Sequence, residues 1–221
     1  MNFLQDFFFP NRCMGCNRII GSDDLVCEIC FGNIHFTHFD FDENNLLKER
    51  CKLLFPVENA FALMQFEKDE SLSRDIIHQL KYENRENIGK ILAKWTVEKI
   101  NFKTEKPNLL ATIPLHPKKL KKRGYNQLHL FAETLSEHWK IPINHTILKR
   151  NIYAKAQAKR KIEERGKTQN QFSATETVSD KHILLTDDVF TTGNTMSAAV
   201  WEILKSGNNN KVSVLVMAVE Y

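Results

Sequence analysis

The pattern of apolar and polar positions after residue 56 predicts strands that alternate with helices. Four apolar runs are typical of buried strands: 60–66, 109–113, 182–186 and 211–219. Apolar residues recur at helical spacing in four other segments: 71–82, 86–100, 128–139 and 194–206. Residues 143–149 are a weaker strand candidate, and 114–127 is expected to be a basic loop. This alternation predicts an α/β fold with a parallel sheet.

Composition limits the classes of protein to consider. The 221 residues, of which 42% are hydrophobic, are enough for one sizeable core plus an appendage. The longest apolar run, 214–219, is far too short to cross a bilayer. The opening residues have neither the basic start nor the small-residue cleavage site of a signal peptide, so we expect a cytoplasmic protein without membrane insertion.

The net charge of +4 does not by itself indicate a nucleic-acid partner, but the basic residues are clustered. Five of the six residues 118–123 are Lys or Arg, and residues 149–167 contain eight basic residues against two acidic ones. Such clusters are often solvated surfaces, and they also suit the binding of anions.

Four cysteines form two pairs with the spacing of a metal site. Cys13 and Cys16 make one pair, Cys27 and Cys30 make the other, and ten residues separate the pairs. Two residues between thiolates allow both sulfurs to bind one tetrahedral ion, and zinc is the natural occupant in a reducing compartment. We therefore predict a structural zinc site, with a redox dithiol or unrelated buried cysteines as the alternatives.

The segment 183–200 (ILLTDDVFTTGNTMSAAV) combines an apolar strand with an acid pair and a polar turn. Asp187 and Asp188 are expected at the carboxyl end of the strand, where ligands bind in open α/β sheets. Residues 191–195 enter the next helix, whose free N–H groups and dipole favour a phosphate. The segment therefore predicts a sugar-phosphate site, and simple capping of the helix is the alternative.

This segment resembles the phosphoribosyl pyrophosphate (PRPP) signature of type I phosphoribosyltransferases. Together with IPLHPKKLKKRGYNQ (113–127), RDIIHQLKY (74–82) and the cysteine pairs, it resembles the competence protein F (ComF) family over residues 13–221. The resemblance implies a type I phosphoribosyltransferase-like parallel sheet with flanking helices over 56–221 and a zinc-ribbon-like module over 1–55.

The resemblance also implies roles for individual residues. The aspartates would hold the ribose hydroxyls, and the loop after them would hold the 5′-phosphate. The implied PRPP-binding residues are Asp187, Asp188, Val189, Thr191, Thr192, Gly193, Asn194 and Thr195. The implied catalytic residues are Asp187, Asp188, Lys118 and Arg123, of which the two cations would assist Mg²⁺ in binding pyrophosphate. Residues 153–172 would form a flap over the site, with a charged surface helix as the alternative.

Three functions are compatible with these features. The chain is expected to be an enzyme that transfers phosphoribosyl from PRPP to a nitrogen acceptor. It is alternatively a factor that handles single-stranded DNA with competence proteins, using the zinc module, the basic loops and aromatic residues such as Tyr125, Tyr153 and Phe172. A weaker third alternative is a sensor that binds PRPP without turnover.

Overall fold

The computed structural model describes residues 10–67, 71–83, 85–151 and 171–221. The flap predicted at 153–172 therefore lies almost wholly outside the described residues. The helices of the described chain are α1 (Glu28–Gly32), α2 (Leu46–Lys52), α3 (Leu72–Tyr82), α4 (Asn87–Lys99), α5 (Pro117–Arg123), α6 (His129–Trp139) and α7 (Asn194–Lys205). The strands are β1 (Ala60–Gln65), β2 (Leu109–Thr112), β3 (Ile143–Asn144), β4 (Leu148–Arg150), β5 (Phe172–Ala174), β6 (His182–Phe190) and β7 (Lys211–Val219).

A parallel five-stranded sheet with the order β1-β7-β6-β2-β3 forms the centre of the fold. Strands β1 and β7 are buried along nearly their whole length, as expected for strands whose two faces are both covered. Helices flank the sheet, and α4 packs against α6 so closely that a side chain at Gly89 would crowd the backbone of Phe131. The predicted α/β fold with a parallel sheet is confirmed.

The N-terminal segment packs directly on the edge strand β1. Phe36 forms a bridge with Met64, and the backbone N–H of Thr37 donates to the carbonyl of Leu63 at 3.1 Å. Cys51, on α2, is fully buried in the same hydrophobic core. The boundary at residue 55 between two domains stays a prediction.

Strand β6 is longer than its apolar run predicts. The prediction ended the strand at Thr186, but it continues through both aspartates to Phe190. The reason is the neighbouring strand β7, because its residues Ala218 and Val219 still pair with Val189 and Phe190. The acid pair therefore has the fixed backbone of a central strand and does not belong to the following turn.

Residues 114–127 contain a helix where a loop was expected. Helix α5 begins with Pro117 in its first turn, and Nδ1 of His116 accepts a hydrogen bond from the backbone N–H of Lys118 at 3.1 Å. It ends at Gly124, whose φ of 84° is the left-handed conformation that favours glycine. The strand predicted over 143–149 is replaced by two short strands. Strand β3 joins the large sheet, whereas β4 pairs with β5.

Candidate active site

The topology of the sheet creates a crevice between β2 and β6. These strands are neighbours, with Thr112 paired to Thr186. The chain leaving β2 returns to the sheet through β3 on one side, whereas the chain leaving β6 returns through β7 on the other side. The loops after the two strands therefore diverge, and ligands bind at such switch points in open α/β sheets.

A polar cleft of about 190 Å³ occupies this position. It is bordered by the segment after β2, by the acid pair of β6 and by the start of α7. Its lining residues are Lys81, Tyr82, Ile113, Pro114, Leu115, Lys119, Arg123, Gln127, Arg150, Asp187, Asp188, Val189 and Thr195. An adjoining basic pocket extends from the cleft between α3 and α5, and Lys122 lines it as well.

The two aspartates of the cleft have different surroundings. Burial and, next, the neighbouring Asp188 raise the pKa of Asp187 to about 7. Asp188 is instead paired with Nζ of Lys81, which lies 2.8 Å from its Oδ1. The pair therefore holds one carboxylate stabilised by a cation and one that titrates near neutral pH, a pattern common at functional sites.

Gln127 connects the acid pair to a cation. Its side-chain amide N–H donates to Oδ2 of Asp188, while its oxygen accepts a hydrogen bond from the guanidinium of Arg123. The same guanidinium lies over the ring of Tyr82, 5.3 Å from its centroid and so within the limit of about 6 Å for a cation–π contact. Arg123 is therefore held at the cleft by two contacts and presents a fixed positive charge to it.

The basic helix α5 turns only part of its charge toward the cleft. Lys119 and Arg123 line the cleft, four residues apart on one face of the helix. Lys118 lies on the same helix and is exposed, but it is not among the lining residues. Arg150, at the end of β4, adds a further cation to the lining of the cleft.

The polar turn before α7 contains a glycine in the left-handed backbone conformation. Gly193 has a φ of 78°, and a Cβ there would lie 2.4 Å from Cδ1 of Leu54 and 2.7 Å from the ring of Phe190. No side chain caps the helix, so the alternative of a simple helix cap is not observed. A small cavity of about 30 Å³ lies at this turn, lined by Asp187, Val189, Phe190, Thr191, Thr192, Gly193, Asn194, Thr195 and Met196. The N–H groups of the first turn of α7 therefore remain available to a ligand.

Residues of the N-terminal segment hold this turn in place. The guanidinium of Arg50 donates to the backbone carbonyls of Thr191 and Glu220, and it lies over the ring of Phe190 at 5.1 Å. The indole N–H of Trp201, on α7, donates to the carbonyl of Leu54 at 3.2 Å. The loop that would bind phosphate is thus fixed from outside the α/β sheet.

The four cysteines of the two predicted pairs lie together. Cys13, Cys16, Cys27 and Cys30 have sulfur atoms within 4.8 Å of one another, and none of them forms a disulfide. The sulfurs of Cys16 and Cys27 are 3.7 Å apart. Zinc–sulfur bonds of about 2.3 Å in a tetrahedron require sulfurs about 3.8 Å apart, so the four cysteines could hold a zinc ion.

Backbone N–H groups favour the ionised form of one of these thiols, that of Cys13. Burial opposes the ionisation of Cys13, but N–H groups of Cys27, Cys16 and Gly15 outweigh it and lower its pKa to about 6. One of these is the N–H of Cys27, which donates to the sulfur at 3.3 Å. Burial and the neighbouring thiols raise the pKa of Cys30 to about 12. Cysteines bind zinc as thiolates. The positive charge of a bound ion would favour the loss of a proton from Cys30, which the neighbouring thiols oppose.

The structure brings most of the predicted site residues together and adds others. Asp187, Asp188, Val189, Thr195 and Arg123 border one cleft, whereas Lys118 does not. Among the lining residues that sequence reasoning did not select, four carry a positive charge or a side-chain amide: Lys81, Lys119, Gln127 and Arg150. Lys81 and Gln127 lie inside RDIIHQLKY and RGYNQ, two segments that contributed to the family resemblance. Their membership in these motifs could therefore have marked them as site residues. Nothing in the basic cluster distinguished Lys119 from Lys118 before α5 had a defined face.

Comparisons with known proteins identify related sequences. No protein-family model matches the chain. The chain is 23% identical to the DNA utilization protein YhgH of Escherichia coli O157:H7 over 201 residues, which cover 88% of this chain and 85% of the relative. It is 33% identical to the competence protein ComFC of Bacillus subtilis (strain 168) over 110 residues, covering 49% of this chain and 43% of ComFC. YhgH of Salmonella typhimurium is 25% identical over 146 residues, or 60% and 61% of the two chains.

A solved structure of UMP synthase from Leishmania donovani matches 71% of this chain and 27% of its own, with 15% identity and a TM-score of 0.36. The strand order and the cysteine positions by themselves define an α/β protein with a parallel sheet, flanking helices and a group of four cysteines near the N-terminus. The matches to YhgH and ComFC, the latter over 49% of this chain, bear out the predicted resemblance to the ComF family. Within the described residues, no helix is both long and apolar enough to span a membrane.

Proposed function

We propose that the chain binds PRPP in the cleft between β2 and β6 and transfers its 5-phosphoribosyl group to a nitrogen acceptor, releasing pyrophosphate. The observation that carries the proposal is the position of two features at one switch point. The first feature is the pair of adjacent aspartates near the end of β6, in which the N–H of Asp188 donates to Oδ1 of Asp187 at 2.8 Å. Three residues beyond β6 is Gly193, at the uncapped start of α7.

Different residues of the cleft suit the different parts of PRPP. The N–H groups at the start of α7 suit the 5′-phosphate, and the carboxylates of Asp187 and Asp188 suit the ribose hydroxyls. Lys119 and Arg123 face the same cleft and suit the pyrophosphate. The small volume next to Gly193 favours a compact anion at that end.

The transfer breaks the bond from C1 of the ribose to the pyrophosphate oxygen and forms a bond from C1 to the acceptor nitrogen. The bonding electrons leave with pyrophosphate, and C1 acquires positive charge in the transition state. The acceptor nitrogen supplies the electron pair of the new bond and releases its proton to solvent. The carboxylate of Asp188 stabilises this charge, while the cations of α5 stabilise the departing oxygens. Magnesium would be held mainly by the pyrophosphate oxygens and water, as is usual for Mg²⁺ bound with phosphorylated substrates.

The test is calorimetry with PRPP and Mg²⁺, followed by a screen of nucleobases and amines for pyrophosphate release. Replacing both Asp187 and Asp188 with asparagine should abolish the release of pyrophosphate. The control is Asp180→Asn, because Asp180 is exposed and precedes the opposite end of β6. Release that is the same in the double variant as in the parent would contradict the proposal, whereas PRPP binding without release for any acceptor would favour a sensor.

The proposal includes a structural zinc ion on the four cysteines. Four protein ligands leave no open coordination position, so this ion would stabilise the N-terminal segment and take no part in the transfer. The lowered pKa of Cys13 and the sulfur spacing support this assignment.

A second candidate function is the handling of single-stranded DNA. The names of the relatives, DNA utilization protein and competence protein, favour it, as does the exposed basic surface of α5. The aromatic residues expected to stack on bases give less support. Phe172 is fully buried, the hydroxyl of Tyr125 donates to the carbonyl of Leu80, and Tyr153 lies outside the described residues. Binding to DNA would therefore depend mainly on charge.

Charge-driven binding predicts a steep dependence on salt, with a slope of about −0.7 for each phosphate contact to a single strand. Lys121 is exposed on α5 and does not line the cleft, so Lys121→Gln should weaken DNA binding and reduce the slope by about 0.7. Lys181→Gln, at an exposed position before β6, is the control. An affinity that does not change with salt would exclude this function.

A further inference from the structure

Two histidines and a glutamate form a cluster outside both the cleft and the four-cysteine group. Possible ligand atoms of His129, Glu133 and His145 all lie within 4.8 Å of one another. His129 and Glu133 are four residues apart on α6, so they share one face of the helix. His145 comes from the segment after β3, at the edge of the sheet. The cluster therefore joins a helix to a strand end that is distant in sequence.

The ring of His145 is oriented by a residue of the neighbouring strand. Its Nδ1 and the hydroxyl of Thr112 are 3.1 Å apart, and Thr112 is fully buried at the end of β2. The other ring nitrogen, Nε2, faces Oε1 of Glu133 at 3.3 Å. This nitrogen is buried, yet it has no well-directed hydrogen bond to any residue in the described parts of the chain. A ring whose one nitrogen is held by a polar partner and whose other nitrogen is unsatisfied is typical of metal-binding histidines.

The second histidine completes a set of ligands. The rings of His129 and His145 are 4.0 Å apart between centroids and inclined by 30°. The side chain of Glu133 is 49% exposed, so the cluster is open to solvent on one side.

We propose that His129, Glu133 and His145 bind a divalent transition-metal cation such as Zn²⁺ at a site separate from the four cysteines. Two imidazoles and one carboxylate suit zinc and cobalt, and they leave a fourth position for water or another ligand. The bound ion would connect α6 to the end of β3. Through the bond of His145 to Thr112, it would also brace the end of β2, immediately before the segment that borders the cleft.

The alternative is a plain ion pair between protonated His145 and Glu133. A metal titration separates the two explanations. Protein that already holds one zinc per chain on its cysteines is titrated with Co²⁺ under calorimetry and absorption spectroscopy. The proposal expects one further equivalent of Co²⁺ with d–d bands and without the intense thiolate charge-transfer band that cobalt on the cysteines would produce.

The variants identify the ligands. Glu133→Gln and His145→Gln should each lower the affinity for this equivalent by more than tenfold. Glu137→Gln and His138→Gln are matched controls on the exposed part of the same helix and should leave the affinity unchanged. Thr112→Val removes the hydroxyl that orients His145 and should cost about 10-fold to 100-fold in affinity, whereas Thr112→Ser should retain it.

Three results would overturn the proposal: no equivalent beyond the cysteine site, a charge-transfer band that places the cobalt on thiolates, or equal affinity in the Glu133 variant and its Glu137 control. Glu133 is exposed, so its replacement is not expected to prevent folding. Circular dichroism of each variant checks this directly. None of these measurements depends on PRPP or on the transfer reaction.

Discussion

Replacing Asp187 with asparagine should make the protein more stable at neutral pH. Burial and the neighbouring Asp188 raise the pKa of Asp187 from 3.8 to about 7. Between those two values the folded state retains a proton that the unfolded state has released, so the free energy of unfolding decreases as the pH rises. Asparagine cannot ionise, and its oxygen can still accept the N–H of Asp188. The variant therefore keeps the local hydrogen bond and removes the penalty of a buried charge.

The pKa difference sets the size of the effect. A shift of about three pH units, at about 1.4 kcal/mol per unit, corresponds to at most about 4 kcal/mol. The stability of the parent relative to the variant should decrease by up to about 1.4 kcal/mol per unit between pH 4 and pH 7. Above pH 7 both states of the parent have an ionised Asp187, so the difference should become constant.

Urea unfolding of parent and variant at half-unit steps from pH 5 to pH 8 measures this difference. Both proteins must contain the same metal, because metal binding to cysteine and histidine also depends on pH. Taking the difference between the two proteins cancels such shared contributions. Asp180→Asn serves as the control, since this exposed carboxylate should change stability by less than about 0.5 kcal/mol at any pH. A pH-independent difference for Asp187→Asn, or a parent that gains stability relative to the variant with rising pH, would refute the reasoning.

Other predictions concern the loop and the cysteines. Gly193→Ala should abolish PRPP binding in calorimetry, because a Cβ would lie 2.4 Å from Cδ1 of Leu54 at a backbone conformation that favours glycine. Arg50→Gln should weaken PRPP binding about tenfold, because it removes the charged hydrogen bonds that hold the loop, each worth about 1.5–3 kcal/mol. Lys52→Gln, on the same helix, is the control and should leave the affinity unchanged. Equal affinities of the two variants for PRPP would contradict this role of Arg50. Native mass spectrometry should find one zinc fewer per chain in Cys30→Ser and the full content in Cys51→Ala, and zinc removal should lower the melting temperature.

The spacing of apolar residues predicted much of the fold, and the elements that differ from the prediction do so for local reasons. The helix over His129–Trp139 and the strand over Lys211–Val219 matched their apolar patterns closely. The end of β6 did not, because backbone pairing to Ala218 and Val219 extends the strand through residues that are polar. Helix α5 was missed although Pro117 and Gly124 are ordinary signals for the start and end of a helix.

The part of the candidate site that lies within one segment of the sequence was predictable. The aspartates and the loop around Gly193 are contiguous in sequence, so their residue types alone indicated a phosphate site. Lys81 and Gln127 reach Asp188 from α3 and from the turn before α6, and only the folded chain brings them together. The cluster of His129, Glu133 and His145 was not noticed, because its third member becomes a neighbour only through the pairing of β2 with β3.

The contact of Arg50 with Thr191 makes the two parts of the chain interdependent. A shortened protein starting at residue 56 would retain the whole sheet and both aspartates, yet it would lack the guanidinium and the Leu54 carbonyl that anchor the loop and α7. Swapping the cysteine-containing segment between relatives should therefore succeed only when this anchor is transferred with it. Selection on the segment would act through ligand affinity as well as through folding.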